Sequence, residues 1–297
     1  MSRTRTLLRS FKESIKKILW MLIHKVAGQE NLFLPVLSGP AKGAWLNLDI
    51  RHQGSYFLGT YDGWIFDRVP LHRFLFPGDA AWDCVAFAGY YAAIFRKMVG
   101  SNGEVLVFEA SLANHEKLKN MPLKNNWRNV TIFHEAVGPE KTQLEFVNDR
   151  GGASGPLGLE KVPLAASQGK ETILVRSRGI DEILKTHSQK PPKLLKLDLE
   201  TGEIHALRNG AEVFGSIRPV VLLELHGPEA CEAAEEWRRK YDYITAVIEF
   251  LPLWKKVSQS DYQKAFKKRA AELGDNIQSI GYQPHMLLCI PKENTGG

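Results

Sequence analysis

Short apolar runs alternate with longer amphipathic runs over most of the sequence, and this alternation constrains the fold more than any other feature. The apolar runs predict strands over residues 80–84, 105–109, 130–134, 194–199, 220–225, 243–249 and 285–290. The amphipathic runs predict helices over residues 90–99, 113–120, 179–185, 202–209 and 229–240. We therefore expect an α/β fold, in which helices cover a mostly parallel sheet.

The alternation defines one domain, expected over residues 78–297, which is preceded by a connector over residues 28–77. An insertion at residues 148–171 is rich in glycine, serine and proline and predicts a surface loop. A second insertion, residues 250–274, predicts a helix with Ser260 as its N-cap.

The second insertion follows the strand predicted at 243–249, whose carboxyl end lies on the edge of the sheet where ligands bind. Phe250, Trp254 and Lys255 therefore either cap a ligand pocket or belong to a peripheral helix. The sequence leaves both alternatives open.

Residues 1–27 predict a basic amphipathic helix. Their longest apolar run, residues 18–23, is far shorter than the roughly 20 residues that span a bilayer. We expect either peripheral contact with an anionic membrane or packing on a protein surface.

The net charge of +6 comes mostly from this segment, because residues 1–17 carry six basic side chains and one acidic side chain. The rest of the chain lacks the excess of basic residues that a nucleic-acid-binding domain needs, so no nucleic-acid partner is expected. The three cysteines are far apart and form no CxxC pair, which excludes a disulfide framework and favours a cytoplasmic location.

Ionisable residues follow several predicted strands. They are Asp83, Glu109, Asp198, Glu200, Glu224 and His226. In a parallel sheet of this kind, ligands bind beyond the carboxyl ends of the strands, so these side chains are candidates for a common site.

Glu109 lies 20 residues after Gly89, a spacing typical of an acid that binds ribose hydroxyls, although an acid at a strand end can also cap a helix. His226 suits a general base, or has a structural role. Asp198 and Glu200 either meet a ligand or pair with Lys196. The HExxH and GxSxG motifs are missing, and we expect no metal.

Eight stretches occur in the order and spacing of a known family. They are YFLGTYDGWIF, PGDAAWD, AGYYAAIF, GEVLVFEAS, NVTIFHEAVG, GGASGPLG, LLKLDLETGEIHALRNG and RPVVLLELHG. Through them, residues 56–291 resemble the FkbM-like methyltransferases. The resemblance implies a Rossmann-like class I methyltransferase sheet of seven strands, of which the last is antiparallel. It also implies methyl transfer from S-adenosylmethionine to a hydroxyl of a sugar, glycan or secondary metabolite.

The resemblance further implies the roles of individual residues. It places the cofactor against Asp83, Ala86, Gly89, Tyr90, Glu109 and Ala136, with Glu109 on the ribose and Ala136 beside the adenine. It places Asp198, Glu200 and His226 on the acceptor side, where His226 or Asp198 is the expected base.

Three residues depart from the family pattern, namely Val85, Phe87 and Thr201. The family has glycine at the first position, where we expect a valine to be strained by a positive φ, and asparagine at the second. We therefore expect reduced affinity for the cofactor. A non-catalytic scaffold protein at a membrane surface is the alternative, and NAD-linked oxidoreduction is disfavoured because GxGxxG is missing.

Overall fold

The computed structural model describes residues 32–140, 142–147, 156–157, 172–200, 202–274, 277 and 285–295. The helix predicted for residues 1–27, most of the insertion at 148–171, and Thr201 lie outside the described residues. Within the described part of the chain, no helix is both long enough and apolar enough to span a membrane.

Thirteen strands occur among the described residues. In chain order they are β1 (Leu32–Pro35), β2 (Trp45–Leu48), β3 (Ala80–Asp83), β4 (Glu104–Phe108), β5 (Val130–Phe133), β6 (Ala136–Val137), β7 (Thr142–Val147), β8 (Pro156–Leu157), β9 (Thr172–Arg178), β10 (Pro192–Leu197), β11 (Val220–Glu224), β12 (Tyr243–Val247) and β13 (Met286–Pro291). The α-helices of the described residues are Gly54–Leu58, Gly63–Phe66, Tyr90–Val99, Leu112–Leu118, Met121–Lys124, Ile180–Thr186, Glu203–Arg208, Pro228–Lys240 and Gln259–Leu273.

The main sheet has seven strands in the order β12-β13-β11-β10-β3-β4-β5. β13 runs antiparallel to both of its neighbours, whereas the pairs from β11 to β5 are parallel. The predicted Rossmann-like sheet with an antiparallel last strand is thus confirmed.

Each face of the main sheet is covered by an apolar layer, because successive side chains of a strand point to opposite faces. Val105 and Val107 of β4 pack in the layer that contains the helix Tyr90–Val99. Leu106 and Phe108 pack in the layer that contains the helix Pro228–Lys240. Burial on both faces explains why the strands read as continuous apolar runs rather than as alternating ones.

A second sheet, with the order β6-β9-β7-β8, joins the main one after β5, and the sequence analysis missed most of it. Its signal was present in β7, where Leu144 and Phe146 are buried and Gln143 and Glu145 are exposed. This alternation is typical of a strand with one buried face. The segment predicted to be a loop contributes the short strand β8.

The insertion at 250–274 contains the helix Gln259–Leu273, which ends at Gly274. The prediction of Ser260 as its N-cap was wrong, because Ser258 Oγ accepts the hydrogen bond from the Asp261 amide at 3.1 Å. Trp254 packs towards the connector, where its Nε1 donates to the Phe66 carbonyl at 2.8 Å. It does not line the cavity at the carboxyl ends of β3, β4 and β10, so the structure favours the peripheral alternative for this insertion.

Candidate active site

A cavity of about 300 Å³ lies at the carboxyl ends of β3, β4 and β10. Its volume is at the lower end of the range for small-molecule sites. Its wall combines apolar, polar and charged residues. They are Tyr56, Tyr61, Cys84, Val85, Ala86, Phe87, Tyr90, Tyr91, Glu109, Ala110, Asn114, Ala136, Val137, Leu144, Phe146, Lys196, Asp198, Leu199, Glu200 and Gly202. Ala86, Tyr90, Glu109 and Ala136, four of the predicted cofactor residues, are among them.

The turn between β3 and the helix Tyr90–Val99 forms one side of this cavity. Gly89 has a φ of +78° and begins the helix, and a Cβ atom there would lie 2.7 Å from Met121 Sδ. Any other residue here would be strained by the positive φ and would displace the Met121 side chain. Gly89 and Asp83 shape the turn without lining the cavity, and Asp83 is fully buried.

The strain in this turn falls on a different residue from the one predicted. Phe87 has a φ of +49°, whereas Val85 is not among the residues with positive φ. The prediction of a strained Val85 was therefore wrong. Phe87 occupies the position where the resemblance implies asparagine, which adopts this backbone conformation more easily than phenylalanine does.

Glu109 anchors the turn from the end of β4. Its two carboxylate oxygens accept hydrogen bonds from the amides of Phe87 and Ser111, each at 2.8 Å. Burial raises the pKa of Glu109, and these amide donors partly offset that rise. The Asn114 side chain also hydrogen-bonds to Glu109. An ionised carboxylate has about four acceptor positions, so Glu109 keeps the capacity to accept one further hydrogen bond from a ligand hydroxyl.

Aromatic side chains from the connector close the cavity opposite Glu109. Tyr56 and Tyr61 are stacked with their ring centroids 4.0 Å apart, and the Phe87 ring lies 5.9 Å from that of Tyr56. The Tyr90 hydroxyl is buried beside them without a hydrogen-bond partner among the described residues.

On the other side of the cavity, Lys196 and Asp198 form an ion pair with an Nζ–Oδ2 distance of 2.9 Å. Burial acts to lower the pKa of Lys196, but Asp198 and Asp83 outweigh it and raise that pKa. Burial likewise acts to raise the pKa of Asp198, and Lys196 outweighs it and lowers that pKa. The ion pair that the sequence analysis left open is therefore formed. It fixes one Asp198 oxygen at the cavity wall.

His226 lies behind this wall among four carboxylates. Its Nδ1 is 2.7 Å from Oε1 of Glu203, and its Nε2 is 3.8 Å from an oxygen of each of Asp198, Glu200 and Glu224. Burial acts to lower the pKa of His226, but the hydrogen bond to Glu203 and the surrounding charges raise it to about 9.

This environment also bears on the predicted catalytic residues. At neutral pH a pKa of about 9 keeps the imidazole protonated, which disfavours the role of general base. Glu200 lines the cavity, with a half-buried side chain and a pKa raised mainly by burial. The structure thus brings Asp198, Glu200 and His226 together, with His226 outside the lining.

The sequence analysis missed Glu203, which is fully buried and contacts His226. Glu203 also accepts a hydrogen bond from the Leu199 amide at 2.8 Å. Acidic residues are common in the first turn of a helix, so the position of Glu203 did not single it out. Its contact with His226 depends on the pairing of β10 with β11, which the sequence does not show.

Comparison with known proteins identifies the family. A model of the methyltransferase FkbM domain matches residues 83–258, which is more than half of the chain. No match was found among curated proteins.

Three solved structures show similarity at low identity. The FkbM methyltransferase from Methylobacillus flagellatus KT is 17% identical, with 57% of this chain and 40% of that chain covered and a TM-score of 0.41. A putative rRNA methylase from Clostridium thermocellum is 12% identical, with 74% and 90% covered and a TM-score of 0.40. A SAM-dependent O-methyltransferase from Thermotoga maritima is 12% identical, with 73% and 60% covered and a TM-score of 0.38.

The chain therefore spans less than half the length of the Methylobacillus structure. The match to the FkbM domain is the finding that assigns the family. On that match, the chain belongs to the family of the methyltransferase FkbM domain.

Proposed function

We propose that this chain binds S-adenosylmethionine in the cavity and methylates a hydroxyl group of a sugar, a glycan or a secondary metabolite. The observation that carries the proposal is the position of Glu109, a buried carboxylate that lines the cavity and has a spare acceptor position. Membership of the FkbM family supports the reaction class.

The residues present fit the cofactor. Glu109 would accept a hydrogen bond from a ribose hydroxyl, and Ala136 would contact the adenine from β6. When bound, S-adenosylmethionine would supply the methyl group from its positively charged sulfur to the acceptor oxygen, and S-adenosylhomocysteine would be the leaving group.

The acceptor side would be formed by Asp198 and Glu200, both of which line the cavity. Asp198 is held by Lys196, and this pairing leaves it better suited to orient an acceptor hydroxyl by accepting its hydrogen bond. Glu200 has no short ion pair of this kind, because its closest approach to His226 Nε2 is 3.8 Å. We assign to Glu200 the removal of the hydroxyl proton as the acceptor oxygen forms its new bond.

We expect the affinity for the cofactor to be reduced. The Phe87 ring occupies part of the cavity wall where the resemblance implies an amide side chain. The alternative function, a non-catalytic scaffold protein, draws its support from this one residue. Cofactor binding without methyl transfer to any hydroxyl acceptor would favour it.

The basic segment at residues 1–27 is expected to hold the protein at the cytoplasmic face of a membrane. Co-sedimentation with phosphatidylserine vesicles tests this expectation. A variant in which Lys12, Lys16 and Lys17 are replaced by glutamate should lose binding. Equal binding of this variant would contradict the expectation.

The catalytic proposal is tested by transfer of a radiolabelled methyl group to a panel of hydroxyl-bearing acceptors. We expect Glu200→Gln to lower the rate by about a hundredfold or more, in keeping with loss of a general base. Glu116→Gln, which changes an exposed glutamate of the helix Leu112–Leu118, is the matched control and should leave the rate unchanged. An undiminished rate in Glu200→Gln would remove Glu200 from the mechanism.

A further inference from the structure

Three ligand-type side chains converge where β10 and β11 end. One side-chain nitrogen or oxygen of each of Asp198, Glu224 and His226 lies within 4.8 Å of the others. The distance from His226 Nε2 to Asp198 Oδ1 is 3.8 Å, as is the distance to Glu224 Oε1. Both distances are too long for hydrogen bonds, so the imidazole nitrogen faces carboxylates without bonding to them.

The same distances suit a shared cation. Ligand atoms that bind one transition-metal ion at about 2.1 Å are separated from one another by up to about 4.2 Å. A separation of 3.8 Å therefore lies within the range that one ion can bridge. Glu200 Oε2, also 3.8 Å from His226 Nε2, could supply a further oxygen or hold a metal-bound water.

Buried Glu203 provides an independent observation from a different element, the helix Glu203–Arg208. It is completely buried, and its Oε1 lies 2.7 Å from His226 Nδ1. A carboxylate on the outer nitrogen of an imidazole orients the other nitrogen towards a metal, an arrangement common to metal-binding histidines. The second oxygen, Oε2, is buried without a partner among the described residues, so this costly burial needs a reason beyond packing.

We infer that Asp198, Glu224 and His226 bind a divalent metal ion of the manganese or zinc class, which displaces the proton from His226 Nε2 when it binds. The mixed nitrogen and oxygen ligands favour these ions over calcium, which takes oxygen ligands alone. Asp198 connects the site with the cavity, because its Oδ2 pairs with Lys196 and its Oδ1 faces His226. The ion would thus lie at the acceptor side of the cavity and deepen the proposed function by binding the acceptor hydroxyl.

Binding of Mn²⁺ to the chelator-treated full-length protein tests this inference without an activity assay. Electron paramagnetic resonance should report one tightly bound Mn²⁺ per chain, with a signal from coupling to an imidazole nitrogen. The nitrogen signal should disappear in His226→Gln, and Asp198→Asn and Glu224→Gln should each lower the affinity at least tenfold. Glu203→Gln should lower it by roughly ten- to a hundredfold, as expected for a residue that orients a metal-bound histidine.

Glu272→Gln is the matched control, since it removes an exposed carboxylate of the helix Gln259–Leu273. Its affinity for Mn²⁺ should equal that of the unmodified protein, and circular dichroism should show that every variant is folded. Absence of saturable Mn²⁺ and Zn²⁺ binding would overturn the inference. So would binding that persists with its nitrogen coupling in folded His226→Gln. Because the readout is metal binding, failure of methyl transfer leaves this test unaffected.

Discussion

Glu109→Gln separates the stability of the first turn from its capacity to bind a ligand. In the structure, the Glu109 carboxylate holds the amides of Phe87 and Ser111, each at 2.8 Å. Glutamine keeps one acceptor oxygen and replaces the other with an NH₂ group, which cannot accept from an amide. One hydrogen bond to a charged acceptor is therefore lost, and one backbone amide loses its partner.

The size of the effect follows from these contacts. A hydrogen bond to a charged group contributes about 1.5–3 kcal/mol, and a buried donor without a partner costs a similar amount. Removing the negative charge offsets part of this lost stability, because a buried charge is unfavourable, as the raised pKa of Glu109 shows. We expect the free energy of unfolding to fall by about 2 kcal/mol.

Urea unfolding and calorimetric titration measure the two consequences in one variant. The unfolding midpoint should fall with an unchanged m value, and the affinity for S-adenosylmethionine should fall at least tenfold, which corresponds to about 1.4 kcal/mol. In the control Glu116→Gln, an exposed position, the free energy of unfolding should change by less than about 0.5 kcal/mol. Wild-type stability and affinity in Glu109→Gln would refute the role assigned to this carboxylate.

Three further predictions concern the turn and its surroundings. Phe87→Asn should increase the affinity for S-adenosylmethionine by about three- to tenfold, the value of one added hydrogen bond. Val85→Gly should not increase it, because Val85 does not share the positive φ of Phe87. Calorimetry of both variants measures the difference. Burial raises the pKa of Asp83 to about 7. The protonated Asp83 carboxyl group therefore makes its full contribution to stability below pH 4, and this contribution is lost as the pH rises towards 7. Across that range, the free energy of unfolding measured in urea should fall by up to roughly 4 kcal/mol less in Asp83→Asn than in the unmodified protein. Trp254→Ala should lower the free energy of unfolding by roughly 2–4 kcal/mol, because it removes packing and the hydrogen bond to the Phe66 carbonyl. The affinity for the cofactor should stay unchanged. A change in affinity without a change in stability would instead place Trp254 at the cavity.

The main sheet could be predicted from the sequence because its strands are buried on both faces. Their continuous apolar runs, such as Val220 to Leu223, stand out from the polar helices between them. β7 and β9 belong to a smaller sheet with one exposed face, where alternating polar residues weaken the signal. The parallel order of the strands was enough to predict at which edge of the main sheet the polar side chains gather.

The contacts within the site could be predicted only in part. The spacing from Gly89 to Glu109 indicated a carboxylate beside the turn, and the structure places Glu109 there. The backbone conformation of Phe87 and the burial of Glu203 depend on packing between elements that are distant in the sequence. For the same reason, the sequence could not indicate that His226 would lie among carboxylates that keep it protonated.

Calorimetric titration of the full-length chain with S-adenosylmethionine tests the central claim most directly. We predict saturable binding at one site per chain, with a Kd weaker than about 10 μM because of Phe87, and with at least tenfold weaker binding in Glu109→Gln. A Kd of 1 μM or tighter would contradict the expected reduction in affinity. Absence of saturable binding, or binding that Glu109→Gln leaves unchanged, would contradict the assignment of this cavity to the cofactor.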